Sequence, residues 1–221
     1  MLEFGNRVAV KVCGITNTDD ALTCAAAGVE MLGLNFSPQS SRCISLTTGT
    51  EITAAVRSRF PRIKFVGVFV DQELELVRRI KNELALDAVQ LHGEESTDYA
   101  RNLGGPFVIK ALRVRPGFST STAAAYPCDA TLLDSWSANA PGGTGETFPW
   151  TVAASLRPLV RRLVLAGGLT SNNVADAIRL VQPFAVDVCS GVEDAPGRKN
   201  SAKVQDFVKA VRAAETVKTN V

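Results

Sequence analysis

The sequence contains almost no histidine, and its cysteines are scattered, which together exclude two classes of protein. There is a single histidine, His92, so a metal site built on two histidine ligands is ruled out. The five cysteines are odd in number, and no two of them form a C-x-x-C pair. This pattern supports neither a disulfide framework nor a zinc site. We therefore expect a protein that binds no metal.

The sequence also lacks an excess of charge of either sign and a long hydrophobic run. Its 24 basic residues nearly balance its 22 acidic ones, which leaves a net charge of +2 without a polybasic tract. No apolar run approaches the ~20 residues that span a bilayer, and the N-terminus lacks the charged-then-apolar order of a signal peptide. We therefore expect a cytoplasmic protein that has neither nucleic acid nor membrane as a partner.

Hydrophobic residues are plentiful, at 46% of the chain, and they gather in eight short runs. The runs are Arg7–Cys13, Met31–Phe36, Lys64–Val70, Asp87–His92, Phe107–Val114, Thr131–Asp134, Arg162–Gly168 and Ala185–Gly191. Segments with helical spacing separate the runs, and this alternation is typical of parallel strands joined by crossover helices. The sequence therefore predicts an α/β protein, a (β/α)8 TIM barrel that forms one compact domain over residues 1–221.

The segments between the runs carry the residues expected at helix ends. Thr16 or Asn17 is predicted to cap the first helix, Gly28 to end it, and Ser171–Asn172 to cap the seventh. The other predicted helices are Thr47–Arg59, Gln72–Leu84, Glu94–Leu103, Ser119–Ala125, Trp150–Leu156 and Ser201–Ala214. Ser135–Thr147, rich in Ser, Asn, Pro and Gly, is the longest predicted loop, and such loops at strand ends often carry function.

Polar residues concentrate at the C-terminal ends of the predicted strands, where alternation indicates which way they face. Residues two apart share a face of a strand, and the outward face of a barrel strand should be apolar because it packs against helices. We therefore expect these polar side chains to point into the barrel mouth: Lys11, Cys13, Gln90, His92, Lys110, Asp134, Asp187 and Cys189. Lys11 and Lys110 have two equally good interpretations, a catalytic role or a structural ion pair with Asp187.

The alternation of side chains along the strands also predicts that two cysteines lie near each other. Strand eight of a closed barrel must pair with strand one, and Cys13 and Cys189 lie near the C-terminal ends of those strands. We therefore expect the two thiols to be close.

Two glycine-bearing segments follow strands seven and eight. Glycine lets the backbone approach a ligand closely, and successive N–H groups form a cradle for an anion. In a TIM barrel, phosphate sites recur after these two strands. Gly167, Gly168, Ser190 and Gly191 are therefore predicted to bind the phosphate of a phosphorylated small molecule.

Six segments together resemble the phosphoribosylanthranilate isomerase family of tryptophan biosynthesis. In chain order they are Lys11–Thr16, Val89–Glu94, Leu132–Asp134, Gly142–Gly145, Leu165–Leu169 and Val186–Glu193. The resemblance implies an aldose–ketose isomerase that converts N-(5′-phosphoribosyl)anthranilate to 1-(o-carboxyphenylamino)-1-deoxyribulose 5-phosphate by an Amadori rearrangement. It also implies that the reaction needs neither a metal nor an organic cofactor.

The resemblance assigns roles to particular residues. Opening the ribose ring needs an acid and removing the proton from C2 needs a base, and Asp134 and Cys13 match the family's acid and base. A lone cysteine on an apolar strand is usually a small core residue, but the surrounding motif reverses that interpretation. Lys11, on the same face, is a suitable cation to favour a thiolate.

The remaining roles follow from the charges of the substrate. Arg42 matches an arginine that would bind the anthranilate carboxylate, and Asp187 matches an aspartate that contacts the sugar hydroxyls. Gln90, His92 and Lys11 are further predicted substrate contacts.

Two other functions remain open at this point. A related isomerase of the histidine pathway would carry an aspartate at the end of strand one, where this chain has Cys13. A phosphosugar-binding barrel without catalysis is less favoured because Cys13 and Asp134 are both present. The sequence leaves the choice between a monomer and a homodimer open.

Overall fold

A computed structural model of the chain describes residues 2–5, 7–105, 107–135 and 147–216. Eight parallel strands close into a barrel in chain order, from β1 next to β2 around to β8 next to β1. The strands are β1 Ala9–Val12, β2 Met31–Asn35, β3 Lys64–Phe69, β4 Ala88–Leu91, β5 Phe107–Val114, β6 Ala130–Ser135, β7 Leu163–Leu165 and β8 Ala185–Val188. The predicted TIM barrel is confirmed. Seven of the eight apolar runs contain a strand, and β6 extends one residue beyond each end of the run Thr131–Asp134.

Helices follow the strands around the outside of the barrel. They are α1 Thr18–Ala26, α2 Leu46–Arg59, α3 Leu74–Glu83, α4 Thr97–Asn102, α5 Thr120–Ala124, α6 Trp150–Leu156, α7 Val174–Val181 and α8 Ser201–Thr216. A short antiparallel hairpin of β9 (Glu193–Ala195) and β10 (Arg198–Lys199) separates β8 from α8. Within the described residues, no helix is both long enough and apolar enough to cross a membrane.

Helix boundaries test the capping predictions. Asn17 caps α1, because its side chain accepts a hydrogen bond from the backbone N–H of Asp20 at 2.8 Å, and Gly28 follows the helix with φ +88°. The predicted cap at Ser171–Asn172 is wrong. The side chain of Asn173 instead accepts from the backbone N–H of Thr170 at 2.8 Å, so a turn precedes α7 and the helix starts at Val174.

The barrel has an apolar lower half and a polar upper half. The inward-facing residues of its lower half form one cluster, which includes Ala9, Met31, Val66, Ala88 and Leu132. The alternate residues of the same strands pack outward against the helices in a second, larger cluster. Two residues further along, the same inward face reaches the mouth, where several strands carry a polar side chain in place of an apolar one, namely Lys11, Gln90, Asp134 and Asp187.

The predicted loop Ser135–Thr147 lies almost wholly outside the described residues. Ser135 is the last residue of β6, and Thr147 lies just before α6. The segment Gly142–Gly145 of the family resemblance also falls outside the described part of the chain.

Candidate active site

One cavity of about 300 Å³ opens at the C-terminal ends of the strands. It gathers predicted site residues from loops and strands that are far apart in the sequence. Those lining it are Cys13, Arg42, Gln90, His92, Asp134, Gly167, Gly168, Asp187, Ser190 and Gly191. Lys11 does not line the cavity, because its side chain is fully buried deeper in the barrel.

Lys11 forms the ion pair that was one of its two interpretations. Its Nζ donates to Oδ2 of Asp187 at 2.7 Å, and the strand register places the two residues side by side on β1 and β8. The other oxygen, Oδ1, is buried and has no hydrogen-bond partner among the described residues. Because Asp187 lines the cavity, Oδ1 is free to accept a hydrogen bond from a bound ligand.

A glycine makes room for Cys13 on the neighbouring strand. A Cβ added to Gly33 would lie 2.8 Å from Sγ of Cys13 and 3.2 Å from Nζ of Lys11. Any larger residue at this position would therefore displace the thiol or the ion pair beneath it.

The charges around Cys13 oppose one another. Burial raises the pKa of the Cys13 thiol, and Lys11 and Lys199 lower it while Asp187 raises it again. The net effect is a pKa above the usual value. Lys11 therefore favours the thiolate as expected from the sequence, but burial and its partner Asp187 outweigh that effect, so the thiol form is favoured.

Gln90, His92 and Asp134 form a chain of contacts across the mouth. Nε2 of Gln90 lies 2.9 Å from Nδ1 of His92, and Nε2 of His92 lies 3.4 Å from Oδ2 of Asp134. With the Gln90 amide in this orientation, its nitrogen donates to Nδ1, and a neutral ring then carries its proton on Nε2, facing Asp134. The other oxygen of Asp134 accepts from the backbone N–H of Ser135 at 2.8 Å.

The prediction that Lys110 points into the barrel mouth is wrong. Ile109 and Ala111 face the barrel interior, so Lys110 between them faces outward. There its Nζ donates to Oε2 of Glu95 and to the Gly93 carbonyl oxygen, both at 2.6 Å. A buried lysine therefore needs a partner here as well, but that partner lies outside the barrel.

The inward face of β5 also carries a polar residue that was not predicted from the sequence. Arg113 lies two residues beyond Ala111, and its Nη2 donates to the carbonyl oxygen of His92 at 3.3 Å. The apolar residues Phe107 and Ile109 carried the signal, because they fix which face of β5 is inward.

Arg42 reaches over the mouth from the loop after β2. Its guanidinium binds the carboxylate of Glu193, with Nε 2.9 Å from Oε1 and Nη2 2.6 Å from Oε2. Lys199 binds the same carboxylate, since its Nζ lies 2.7 Å from Oε1. Glu193 and Lys199 were not predicted as site residues, because nothing in their local sequence indicates contact with a residue as remote as Arg42.

The two glycine segments have the backbone shape that an anion cradle requires. Gly167 and Gly168 adopt φ values of +83° and +63°, which disfavour any residue with a side chain. A Cβ added to Gly191 would collide with the Leu169 carbonyl oxygen. With Ser190, these glycines line the cavity and expose backbone rather than side chain to a ligand.

Cys13 and Cys189 directly follow the paired strands β1 and β8, as expected from closure of the barrel. The register pairs Val12 with Val188, the residue before each cysteine, and both cysteines are free thiols that line the cavity. Burial raises the pKa of Cys189 to about 12. Among the described residues, no three His, Cys, Asp or Glu side chains gather closely enough to hold a metal ion.

The sequence of the chain is similar to those of one protein family. The sequence model of the family described as N-(5′-phosphoribosyl)anthranilate (PRA) isomerase matches residues 10–210. The chain is 42% identical over 212 residues to the N-(5′-phosphoribosyl)anthranilate isomerase of Pelobacter propionicus, covering 96% of this chain and 99% of the relative. A relative of the same name from Geobacter sp. is 46% identical over 199 residues, covering 90% and 95% of the two chains.

Solved structures agree with the sequence matches. The crystal structure of phosphoribosyl anthranilate isomerase from Thermotoga maritima superposes with a TM-score of 0.86 at 39% identity, covering 93% of this chain and 99% of that one. Another phosphoribosyl anthranilate isomerase was solved with reduced 1-(o-carboxyphenylamino)-1-deoxyribulose 5-phosphate. It has a TM-score of 0.83 at 38% identity and covers the same shares of the two chains.

Proposed function

The chain belongs to the N-(5′-phosphoribosyl)anthranilate isomerase family, and we propose that it uses Cys13 as the base and Asp134 as the acid of the family's reaction. That reaction converts N-(5′-phosphoribosyl)anthranilate to 1-(o-carboxyphenylamino)-1-deoxyribulose 5-phosphate in tryptophan biosynthesis. The observation that carries the proposal is that Cys13, after β1, and Asp134, in β6, line one cavity. We further propose that the enzyme works in the cytoplasm as a monomer or a homodimer.

The first step opens the sugar ring. Asp134 donates a proton to the ring oxygen, the bond between that oxygen and C1 breaks, and a protonated Schiff base remains at C1. The carboxylate that results lies 3.4 Å from Nε2 of His92. The proton on Nε2 stabilises the new negative charge, so the contact strengthens as the proton leaves Asp134.

The second step removes the proton from C2. The positive Schiff base next to C2 favours a negative charge on Cys13, which offsets the burial that otherwise keeps the thiol protonated. The thiolate takes the C2 proton and leaves an enolamine. Tautomerisation then moves the proton of the C2 hydroxyl to the Asp134 carboxylate and the thiol proton of Cys13 to C1, so both residues regain the protonation states in which they began the reaction. The proton that the Cys13 thiol releases to solvent when substrate binds returns to it when the product leaves.

The other residues of the cavity hold the substrate in place. The backbone at Gly168 and Gly191 suits the phosphate, and the unpaired Oδ1 of Asp187 suits a sugar hydroxyl. Arg42 suits the anthranilate carboxylate. A turnover assay that follows the ultraviolet absorbance or fluorescence of the anthranilate group tests the function directly, and a purified, folded protein without turnover would contradict it.

Replacement of Arg42 by alanine is expected to raise KM about tenfold with little change in kcat. The carboxylate that it binds is distant from the bonds that change, so the interaction is the same in the ground state and the transition state. Steady-state kinetics measure both constants. Arg179→Ala, an exposed arginine on α7, is the matched control. An unchanged KM together with a large fall in kcat would show that Arg42 has a different role.

We expect the single histidine to be held as the Nε2–H tautomer by Gln90. Because the chain has one histidine, its ¹⁵N NMR signals need no assignment. The wild type should show a protonated Nε2 and an unprotonated Nδ1. In Gln90→Glu, a carboxylate faces Nδ1 and should move a proton onto it, and kcat should fall about tenfold or more. A wild-type spectrum dominated by the Nδ1–H tautomer would refute this arrangement.

A further inference from the structure

The carboxylate of Glu193 accepts hydrogen bonds from four nitrogen atoms at the edge of the cavity. Nε and Nη2 of Arg42 bind it from the loop after β2, and Nζ of Lys199 binds it at 2.7 Å from β10. The backbone N–H of Gly197, in the turn of the same hairpin, is the fourth nitrogen donor, at 3.2 Å from Oε1. The side chain of Glu193 is only 4% exposed, so water does not compete for these contacts.

The hairpin that carries Glu193 is itself fixed to the start of the barrel. Lys199 donates to the carbonyl oxygen of Cys13 at 2.6 Å, and its backbone N–H donates to Asp20 at 2.8 Å. The hydroxyl of Thr16 donates to the carbonyl oxygen of Gly197 at 2.5 Å. The hairpin therefore has a fixed position relative to Cys13, and so does any side chain that binds Glu193.

The charges explain why a carboxylate at this place does not repel an anionic substrate. Arg42 and Lys199 supply two positive charges against the single negative charge of Glu193, which leaves a surplus of one positive charge beside the cavity. Burial alone would raise the pKa of Glu193, but Arg42 and Lys199 lower it below the usual value. In the described part of the chain, Nη1 of Arg42 makes no hydrogen bond, so it remains for a ligand.

We propose that Glu193 is a positioning residue that holds the Arg42 guanidinium over the cavity so that it can receive the substrate carboxylate. An arginine side chain has many rotamers, and fixing it before substrate arrives removes the cost of ordering it on binding. Glu193 touches no reacting atom, so it acts on affinity through Arg42. The inference rests on the carboxylate-binding role proposed for Arg42.

The experiment compares Glu193→Gln in the wild type and in the Arg42→Ala background. In the wild type, the substitution should raise KM about tenfold and change kcat less than about threefold. In the Arg42→Ala background it should change KM less than about twofold, because the guanidinium that it positions is already gone. Asp194→Asn, the next residue on the hairpin with an exposed carboxylate, is the matched control and should leave both constants unchanged.

Two inhibitors separate positioning from a general loss of structure. The inhibition constant of reduced 1-(o-carboxyphenylamino)-1-deoxyribulose 5-phosphate, which carries the carboxylate, should rise about tenfold in Glu193→Gln. That of ribose 5-phosphate, which lacks it, should change less than about twofold. An equal loss for both inhibitors, or an equal rise of KM in both backgrounds, would overturn the proposal.

A second variant covers the case in which Glu193→Gln does not fold. Glu193→Asp keeps the negative charge but withdraws the carboxylate by one methylene, so its two-point contact with the Arg42 guanidinium is lost, and it should raise KM in the same way. The single variant Arg42→Ala shows whether the proposed role of Arg42 or only the proposed role of Glu193 is wrong. If it leaves KM unchanged, the proposed role of Arg42 fails, whereas a rise with Arg42→Ala but not with either Glu193 variant rejects this inference only.

Discussion

Replacement of Cys13 by serine is expected to lower kcat by about 10²–10⁴-fold, the range that a positioned general base contributes. Serine is close to cysteine in size, so the space left by Gly33 still fits it. Its hydroxyl, however, loses a proton far less readily than a thiol. The two lysines near Cys13 in the described residues already have carboxylate partners, since Lys11 binds Asp187 and Lys199 binds Glu193. Steady-state kinetics, with thermal unfolding as a check of the fold, measure the effect.

The control for this substitution is another cysteine replaced in the same way. Cys43 is exposed, lies in the loop after β2 and does not line the cavity, so Cys43→Ser should leave kcat unchanged. Affinity for the product should survive in Cys13→Ser, because the carboxylate and phosphate contacts are intact. Retention of more than about a tenth of the wild-type kcat by Cys13→Ser would show that another group removes the C2 proton.

The strands of the barrel were predictable because each is a short apolar run with a polar end. The predicted ends extend too far where glycines follow a strand. The run Arg162–Gly168 contains a strand of only three residues, Leu163–Leu165, because Gly167 and Gly168 take positive φ values that leave the extended conformation. The hydrophobic pattern continues through such a turn, so it does not reveal where hydrogen bonding between strands stops.

The direction of side chains was predictable where two polar residues lie two positions apart near the end of a strand, as Lys11 and Cys13 do. The prediction failed for Lys110, because a single polar residue does not indicate which face of its strand is inward. Only the apolar neighbours on β5 indicate that face. A long side chain with a buried partner can also satisfy its charge outside the barrel, as Lys110 does with Glu95.

The contacts around Arg42 had no signal in the sequence. Arg42 and Glu193 are 151 residues apart, and the hairpin between β8 and α8 has no counterpart in the regular alternation of strand and helix. Only the closed barrel brings the loop after β2 and this hairpin to the same side of the mouth. The family motif included Glu193, but the motif alone did not say what the carboxylate binds.

Replacement of Asp134 by asparagine is expected to lower kcat by about 10²–10⁴-fold, because an amide N–H is far too weak an acid to protonate the ring oxygen. Asparagine has nearly the same shape and can still accept the hydrogen bond from the backbone of Ser135, so the fold should be unaffected. Asp176→Asn, an exposed carboxylate on α7, is the matched control and should keep the wild-type kcat.

A substrate with deuterium at C2 separates the acid from the base. In Asp134→Asn, ring opening becomes the slow step, and the C2 proton is removed only afterwards, so the deuterium isotope effect on kcat should be close to one. In Cys13→Ser, the ring still opens and removal of the C2 proton becomes slow, so the isotope effect should be large. Because both variants lose activity, the rate alone does not distinguish the two roles. A large isotope effect in Asp134→Asn and none in Cys13→Ser would mean that the two residues have been assigned the wrong way round.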